Sequence, residues 1–160
     1  MKIILNHNKL KTIVQNLKNS GKKIVFTNGC FDLIHRGHIE YLKKAKKLGD
    51  ILIIGINSDE SVKRIKGSKR PIISEKDRAE ILASFFFVDY VTIFNEDTPF
   101  NLISKIVPDI LVKGGDWERD KIVGKEIVEA NGGEVVVIEY LKGYSTSSII
   151  EKIKNLYCQE

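Results

Sequence analysis

Thr27-Asn28-Gly29-Cys30-Phe31-Asp32-Leu33-Ile34-His35-Arg36-Gly37-His38 follows the run Lys22 to Thr27 and precedes Ile39, Leu42, Ala45 and Leu48, which recur at helical spacing until Gly49. The preceding run reads as a strand and the following one as an amphipathic helix, so the quoted residues make a strand-to-helix turn. Ile51 to Ile56 is then a short, continuous apolar run, as expected of a strand covered on both faces. Together these form a βαβ unit. Its right-handed crossover opens the loops after both strands at the carboxyl edge of one parallel sheet, where ligands bind.

The alternation continues outward from this unit. Ser74 with Asp77 is a capping box for a helix through about Ser84, and Tyr90 to Phe94 is a strand. Thr98-Pro99 starts another helix. Ile110 to Lys113 is an inner strand, a helix runs to about Ala130, and Gly132-Gly133 turns the chain into the strand Glu134 to Ile138. A last helix runs from near Thr146 to Leu156. The expected architecture is a doubly wound α/β sandwich of three layers around five parallel strands. It forms a single domain over residues 1–160, with the first 20 or so residues as a helical extension.

Composition narrows the function classes. The chain is 42 % hydrophobic and 29 % charged, as in globular proteins, and its longest apolar runs fall far short of the about 20 residues of a membrane span. Asn6, His7 and Asn8 interrupt the place where a secretory signal keeps an apolar core, so a cytoplasmic protein is expected. Cys30 and Cys158 are too few for a disulfide framework or a zinc cluster. The net charge of +5 comes from lysines scattered at helical spacing with few aromatics among them. That pattern favours a small anionic substrate over nucleic acid. Lys43, Lys44, Lys46 and Lys47 lie opposite the apolar stripe of their helix and read as a solvated face.

The turn has the chemistry of a phosphate cradle. Gly29 lets the backbone turn tightly and approach a ligand, and free N–H groups at the helix start favour an anion. His35 and His38, three apart, project toward the same loop, with Gly37 leaving room between them. Imidazoles there can donate to phosphate oxygens and gain charge as a pyrophosphate departs. No third nitrogen or sulfur ligand for zinc is visible nearby, and the spacing is neither His-Glu-x-x-His nor the Walker lysine loop.

Gly29 through His38, with its His-x-Gly-His ending, resembles the signature of the cytidylyltransferase-like nucleotidyltransferases. A closer resemblance covers nearly the whole chain. Thr27 to Asp32, Asn57-Ser58-Asp59, Arg64 to Gly67 ahead of Arg70-Pro71, Glu96 to Pro99, Pro108-Asp109, Leu111 to Asp116, Ala130 to Gly133 and Ser145-Thr146-Ser147 are similar to the adenylyltransferase domain of bacterial ADP-heptose synthases. Trp117 and Ser147 depart from that pattern, which often has tyrosine and threonine at these places. The resemblance implies a Rossmann-like nucleotidyltransferase fold. It also implies transfer of AMP from ATP to D-glycero-β-D-manno-heptose 1-phosphate, with Mg²⁺ carried mainly by the nucleotide. In many bacteria the adenylyltransferase domain is fused behind a sugar kinase, and for this chain the resemblance implies a separate heptose-phosphate kinase acting upstream. The competing expectations are a CTP-dependent glycerol-3-phosphate cytidylyltransferase and a non-catalytic nucleotide-binding module.

Roles follow from the need for cations where two phosphorylated substrates meet, since like charges a few ångströms apart cost about 4 kcal/mol per pair in a protein-like medium. His35 and His38 are expected catalytic groups, and the resemblance implies that Lys113 and Arg78 join them as phosphate contacts. Thr27, Asn28, Gly29, Cys30, Phe31, Gly37, His38, Gly114, Asp116, Ser145, Thr146 and Ser147 are expected at the nucleotide. Asp32, Asn57, Asp59, Lys66 and Arg70 are expected at the sugar phosphate, Lys66 and Arg70 on a flexible loop. No side-chain cage for the metal is expected. Phe85-Phe86-Phe87 suggests the patch of a homodimer.

Overall fold

The computed structural model describes residues 2–115 and 118–158. Five strands, β1 (Ile24–Gly29), β2 (Ile51–Asn57), β3 (Tyr90–Phe94), β4 (Ile110–Gly114) and β5 (Glu134–Ile138), form one parallel sheet in the order β3-β2-β1-β4-β5. The helices are α1 (His7–Asn19), α2 (Arg36–Lys46), α3 (Asp59–Lys66), α4 (Glu75–Ser84), α5 (Phe100–Ile106), α6 (Lys125–Ala130) and α7 (Thr146–Tyr157). This is the expected doubly wound α/β sandwich.

Side-chain alternation along the strands builds two cores. Val25, Leu52, Ile54 and Val112 point to the face covered by α2 and α4 through Tyr41, Leu42, Ala45, Ala79 and Leu82. Ile24, Phe26, Ile53 and Leu111 point to the opposite face, covered by α1, α5 and α6 through Leu10, Val14, Leu102, Ile103 and Val128. Helix α1 is therefore part of one of the layers. The chain ahead of it adds a short parallel bridge at the sheet edge, Ile3 to Val91.

Two elements differ from the sequence expectation. β1 starts later and runs on to Gly29, because its ladder with β2 continues through Asn28–Gly55 and Gly29–Ile56. Residues 59–66, for which the sequence reading named no helix and which include Lys66 of the expected flexible loop, form α3. Ser58 caps it by accepting from Ser61 N–H, and Asp59 and Glu60 occupy its first turn, where negative charge suits the helix dipole. The aromatic run also divides. Phe85 and Phe87 stack at 5.4 Å, Phe87 is buried, and Phe86 alone projects, 88 % exposed, so three rings do not make one patch.

Among the described residues Val107 is a β-branched residue held at φ 42°, where α5 ends ahead of Pro108. A Cβ with two branches is disfavoured there, whereas glycine is at home. Val107→Gly should raise stability by about 1 kcal/mol, measured by urea denaturation; a lower midpoint would show that Val107 contributes packing that outweighs its strain.

Candidate active site

The strand order reverses between β1 and β4, and the crevice at such a switch point is where doubly wound sheets hold ligands. The β1–β4 ladder runs from Val25–Ile110 to Thr27–Val112. Just beyond it, Lys113 Nζ donates to Asn28 Oδ1 at 2.6 Å. Above this bond opens a cavity of about 560 Å³ walled by residues from the carboxyl ends of the strands and the loops that follow them.

One lip is the β1–α2 turn. Phe31, at φ 48°, reverses the backbone and buries its ring 5.3 Å from that of His38. His35 caps α2 with extended backbone, and His38 stacks on it, ring centroids 3.8 Å apart and planes 21° apart. The His35 backbone N–H donates to His38 Nδ1 at 3.4 Å, so the neutral His38 ring carries its proton on Nε2 and has a donor to offer. His35 Nδ1 is buried without a hydrogen-bond partner. Gly37 makes the stacking possible: a Cβ there would lie 3.0 Å from His35 Nδ1 and 3.1 Å from Tyr144 Cβ.

The electrostatics are set by burial. Burial, helped by the neighbouring His35, lowers the His38 pKa to about 4, and burial lowers that of His35 as well. Both rings are neutral at pH 7. Lys113 is lowered to about 8, again chiefly by burial, and remains largely cationic at neutral pH.

The far lip is the start of α7. Ser145 caps this helix by accepting from Ser148 N–H, and Thr146 Oγ1 donates to Leu33 O at 3.4 Å, tying α7 to the histidine turn. Ser145, Thr146 and Ser147 all line the cavity, as do Gly114, Lys66, Arg70 and Asn57. So do Asn28, Gly29, Cys30, Phe31, Asp32 and Gly37. The Cys30 thiol is pushed up by burial, which keeps it protonated.

Four sequence expectations are corrected or fall outside this wall. Arg78 is completely buried beneath it, donating to Ile73 O, Cys30 O and Asp59 Oδ1, so its guanidinium is committed to the protein. Asp59 is spent on that same bond and is not in the wall. Thr27 is buried with its hydroxyl 2.6 Å from Tyr41 Oη. Asp32 reaches the wall, but its carboxylate is fully covered and bonded to Arg70, Ile72 and Ile73. Asp116 lies outside the described residues.

Sequence reading missed the aromatic side of the cavity, formed by Tyr140, Leu141 and Tyr144 between β5 and α7. The Tyr140 ring rests on Gly114 and Gly115, where a Cβ would come within 2.5 Å and 2.7 Å of it. Two tyrosines just past a strand's carboxyl end were the available signal.

Residues 26–152 match the cytidylyltransferase-like family. The chain belongs to that family. A bifunctional protein HldE of Citrifermentans bemidjiense is 58 % identical over 137 residues, 86 % of this chain and 28 % of that protein. The bifunctional protein HldE of Helicobacter pylori is 55 % identical over 148 residues, 92 % of this chain and 31 % of its own length. The chain thus spans about a third of the curated relatives it matches. Among solved structures, the lipopolysaccharide core biosynthesis protein from Thermoplasma volcanium is 31 % identical with a TM-score of 0.63, over 78 % of this chain and 100 % of that one. Pantoate–β-alanine ligase from Francisella tularensis, 19 % identical with a TM-score of 0.62 over 100 % of this chain and 80 % of its own, shares the fold.

The neutral His38 makes stability depend on pH. Above about 6.5, the free-chain value, folded and unfolded states both hold the ring neutral and it contributes nothing. As pH falls toward 4 the unfolded state takes the proton first, and stability drops by about 2 kcal/mol once screening at the partly open ring is allowed for. His38→Asn should flatten the fall in melting temperature between pH 6.5 and 4.5; an unchanged slope would mean that the ring titrates normally.

Proposed function

We propose that this chain is an adenylyltransferase that moves AMP from ATP to D-glycero-β-D-manno-heptose 1-phosphate. The products are ADP-heptose, used for lipopolysaccharide or another surface glycan, and pyrophosphate. The observation that carries the reading is the stacked histidine pair at the start of α2, facing Lys113 and the hydroxyls at the start of α7 across one crevice. The sugar assignment rests on relatives 50–58 % identical to the chain, all named bifunctional protein HldE. Phosphorylation of the heptose then falls to a kinase acting upstream. A cytoplasmic location and a homodimer contact through the projecting Phe86 belong to the same proposal; among the described residues no helix is long and apolar enough to cross a membrane.

The chemistry needs positioning and charge rather than a nucleophilic side chain. A sugar-phosphate oxygen, already ionised near neutral pH because the second phosphate pKa is about 6, attacks the α-phosphorus in line. The bond to the bridging oxygen breaks and its electron pair leaves with pyrophosphate. His38 Nε2–H, His35, Lys113 and the hydroxyls of Ser145, Thr146 and Ser147 are the groups that receive that charge. The aromatic side of the cavity, Tyr140 and Tyr144, suits the flat base, and the side with Asn57, Lys66 and Arg70 suits the phosphorylated sugar. Mg²⁺, carried mainly by the nucleotide, would neutralise the phosphate oxygens at this site.

Pyrophosphate release should occur with ATP and heptose 1-phosphate and not with CTP and glycerol 3-phosphate. The opposite pairing would move the protein to the cytidylyltransferase branch, and release with neither would favour a binding module. His38→Ala should lower kcat at least 100-fold, the scale of one lost transition-state donor. Because Lys113 loses its proton above about 8, KM for ATP should rise through pH 8 to 9. Lys113→Met should raise KM throughout and abolish that inflection; an inflection surviving in the variant would assign it to another group.

A further inference from the structure

Among the described residues two charged side chains are buried, Asp32 and Arg78, and both are bonded to protein partners. Asp32, in the histidine turn, has a side chain with no exposure. Its Oδ2 accepts from Arg70 Nε at 2.5 Å, and its Oδ1 from the backbone N–H groups of Ile72 at 2.8 Å and Ile73 at 2.9 Å. Arg78, in α4, donates to the carbonyl of the same Ile73 at 3.0 Å and to that of Cys30. A single residue, Ile73, is therefore gripped through its N–H by an anion and through its carbonyl by a cation, and both grips run back to residues 30–32. The segment so held is the connection from Lys66 to Ile73, which has little else to hold it. Lys66 to Lys69 are exposed, Gly67 sits at φ 95° with open space around it, and Ile72 is 53 % exposed. Yet Lys66, at its start, and Arg70, within it, line the cavity.

We propose that Asp32 is a positioning residue: its carboxylate ties the 66–73 arm to the histidine turn and so holds Lys66 and Arg70 at the cavity wall. Sequence alone placed Asp32 on the substrate. The geometry has it acting through the arm, because a carboxylate that is fully covered and accepts from three partners has no face left for a ligand. The charge of Asp32 is essential to this role. A carboxylate is an acceptor at both oxygens, whereas the amide of asparagine sets one N–H group against either Arg70 or the Ile72 and Ile73 N–H groups, so one of the two grips is lost. The residue that forms the turn under the phosphates thereby also sets where the arm's cations stand.

Trypsin tests this without any substrate, since Lys66–Gly67 and Lys69–Arg70 are cleavable bonds in the arm and cleavage reports local opening. In Asp32→Asn, cleavage at these two bonds should accelerate at least tenfold while sites in the sheet stay protected. Arg70→Met, which removes the ion pair and keeps the backbone grips, should give an intermediate rate. The kinetic part rests on the heptose-phosphate reading. There, Asp32→Asn should raise KM for the sugar phosphate at least tenfold and change KM for ATP less than threefold. Arm cleavage at the wild-type rate in folded Asp32→Asn overturns the proposal, as does an equal rise in both KM values. Should Asp32→Asn unfold, wild-type cleavage of Arg70→Met overturns it instead. If heptose phosphate proves not to be a substrate, the proteolysis result still decides the role of Asp32.

Discussion

The parting of β1 from β4 is the constraint on which the rest of the structure depends. β1 lies at the centre of the sheet, with α2 leaving it toward one face while the chain returns to β4 along the other. No backbone can fill the gap between two loops that diverge to opposite faces. Asn28 and Lys113 stand at its floor, the histidine turn forms one wall and the start of α7 the other. A cation at the floor of a crevice is partly removed from water, and the cost appears as the lowered pKa of Lys113. The triphosphate of the proposed substrate would reverse that cost, because an anion restores the environment in which the ammonium is stable. Burial thus leaves the histidines neutral and Lys113 largely cationic at neutral pH, and a bound anion would extend the range over which Lys113 keeps its proton.

Asp32 and Arg78 show the other use of charge in this fold. Burying a lone ion costs several kcal/mol, and a buried pair persists only where its remaining hydrogen-bonding positions are satisfied. Both residues meet that requirement through backbone groups, Asp32 through Ile72 and Ile73, Arg78 through Ile73 and Cys30. Their partners are not in regular secondary structure, where the backbone is already satisfied. They are loop peptides that would otherwise need water. The two ions therefore do for an irregular turn and arm what ladder hydrogen bonds do for strands, and they give a defined shape to an arm that is largely exposed.

This also explains what was legible in the sequence. The strands announced themselves as apolar runs, and the histidine turn by its position between Thr27 and Ile39, because burial on both faces leaves a one-dimensional trace. Helix α3 was hidden: it is eight residues long and only Ser61 and Val62 are buried, so its apolar periodicity is nearly absent and only the Ser58 cap marked it. The chemical types in the site were legible, but the direction of each charged side chain was not. Arg78 and Lys113 look alike as cations near strand ends, yet one is locked under the wall and the other opens into it, a difference set by which backbone carbonyls lie within reach. Tyr140 was missed because its role depends on two glycines 25 and 26 residues earlier that become its floor only when β4 and β5 pair.

The neutrality of the histidine pair has a consequence for catalysis rather than binding. A site lined by permanent cations would bind ATP and its transition state with similar gains, which lowers KM without raising kcat. His38 with a pKa of about 4 begins as a neutral donor, held in one tautomer by the His35 backbone N–H. In the proposed transfer, negative charge grows on the departing oxygens as the bond to pyrophosphate lengthens, and the hydrogen bond from Nε2–H strengthens with that charge while the ring stays neutral. The stabilisation therefore increases along the reaction coordinate, which is the property that accelerates a chemical step. Desolvation, with the stacked His35, keeps the ring a neutral donor throughout, so its contribution follows the charge that develops on the leaving group.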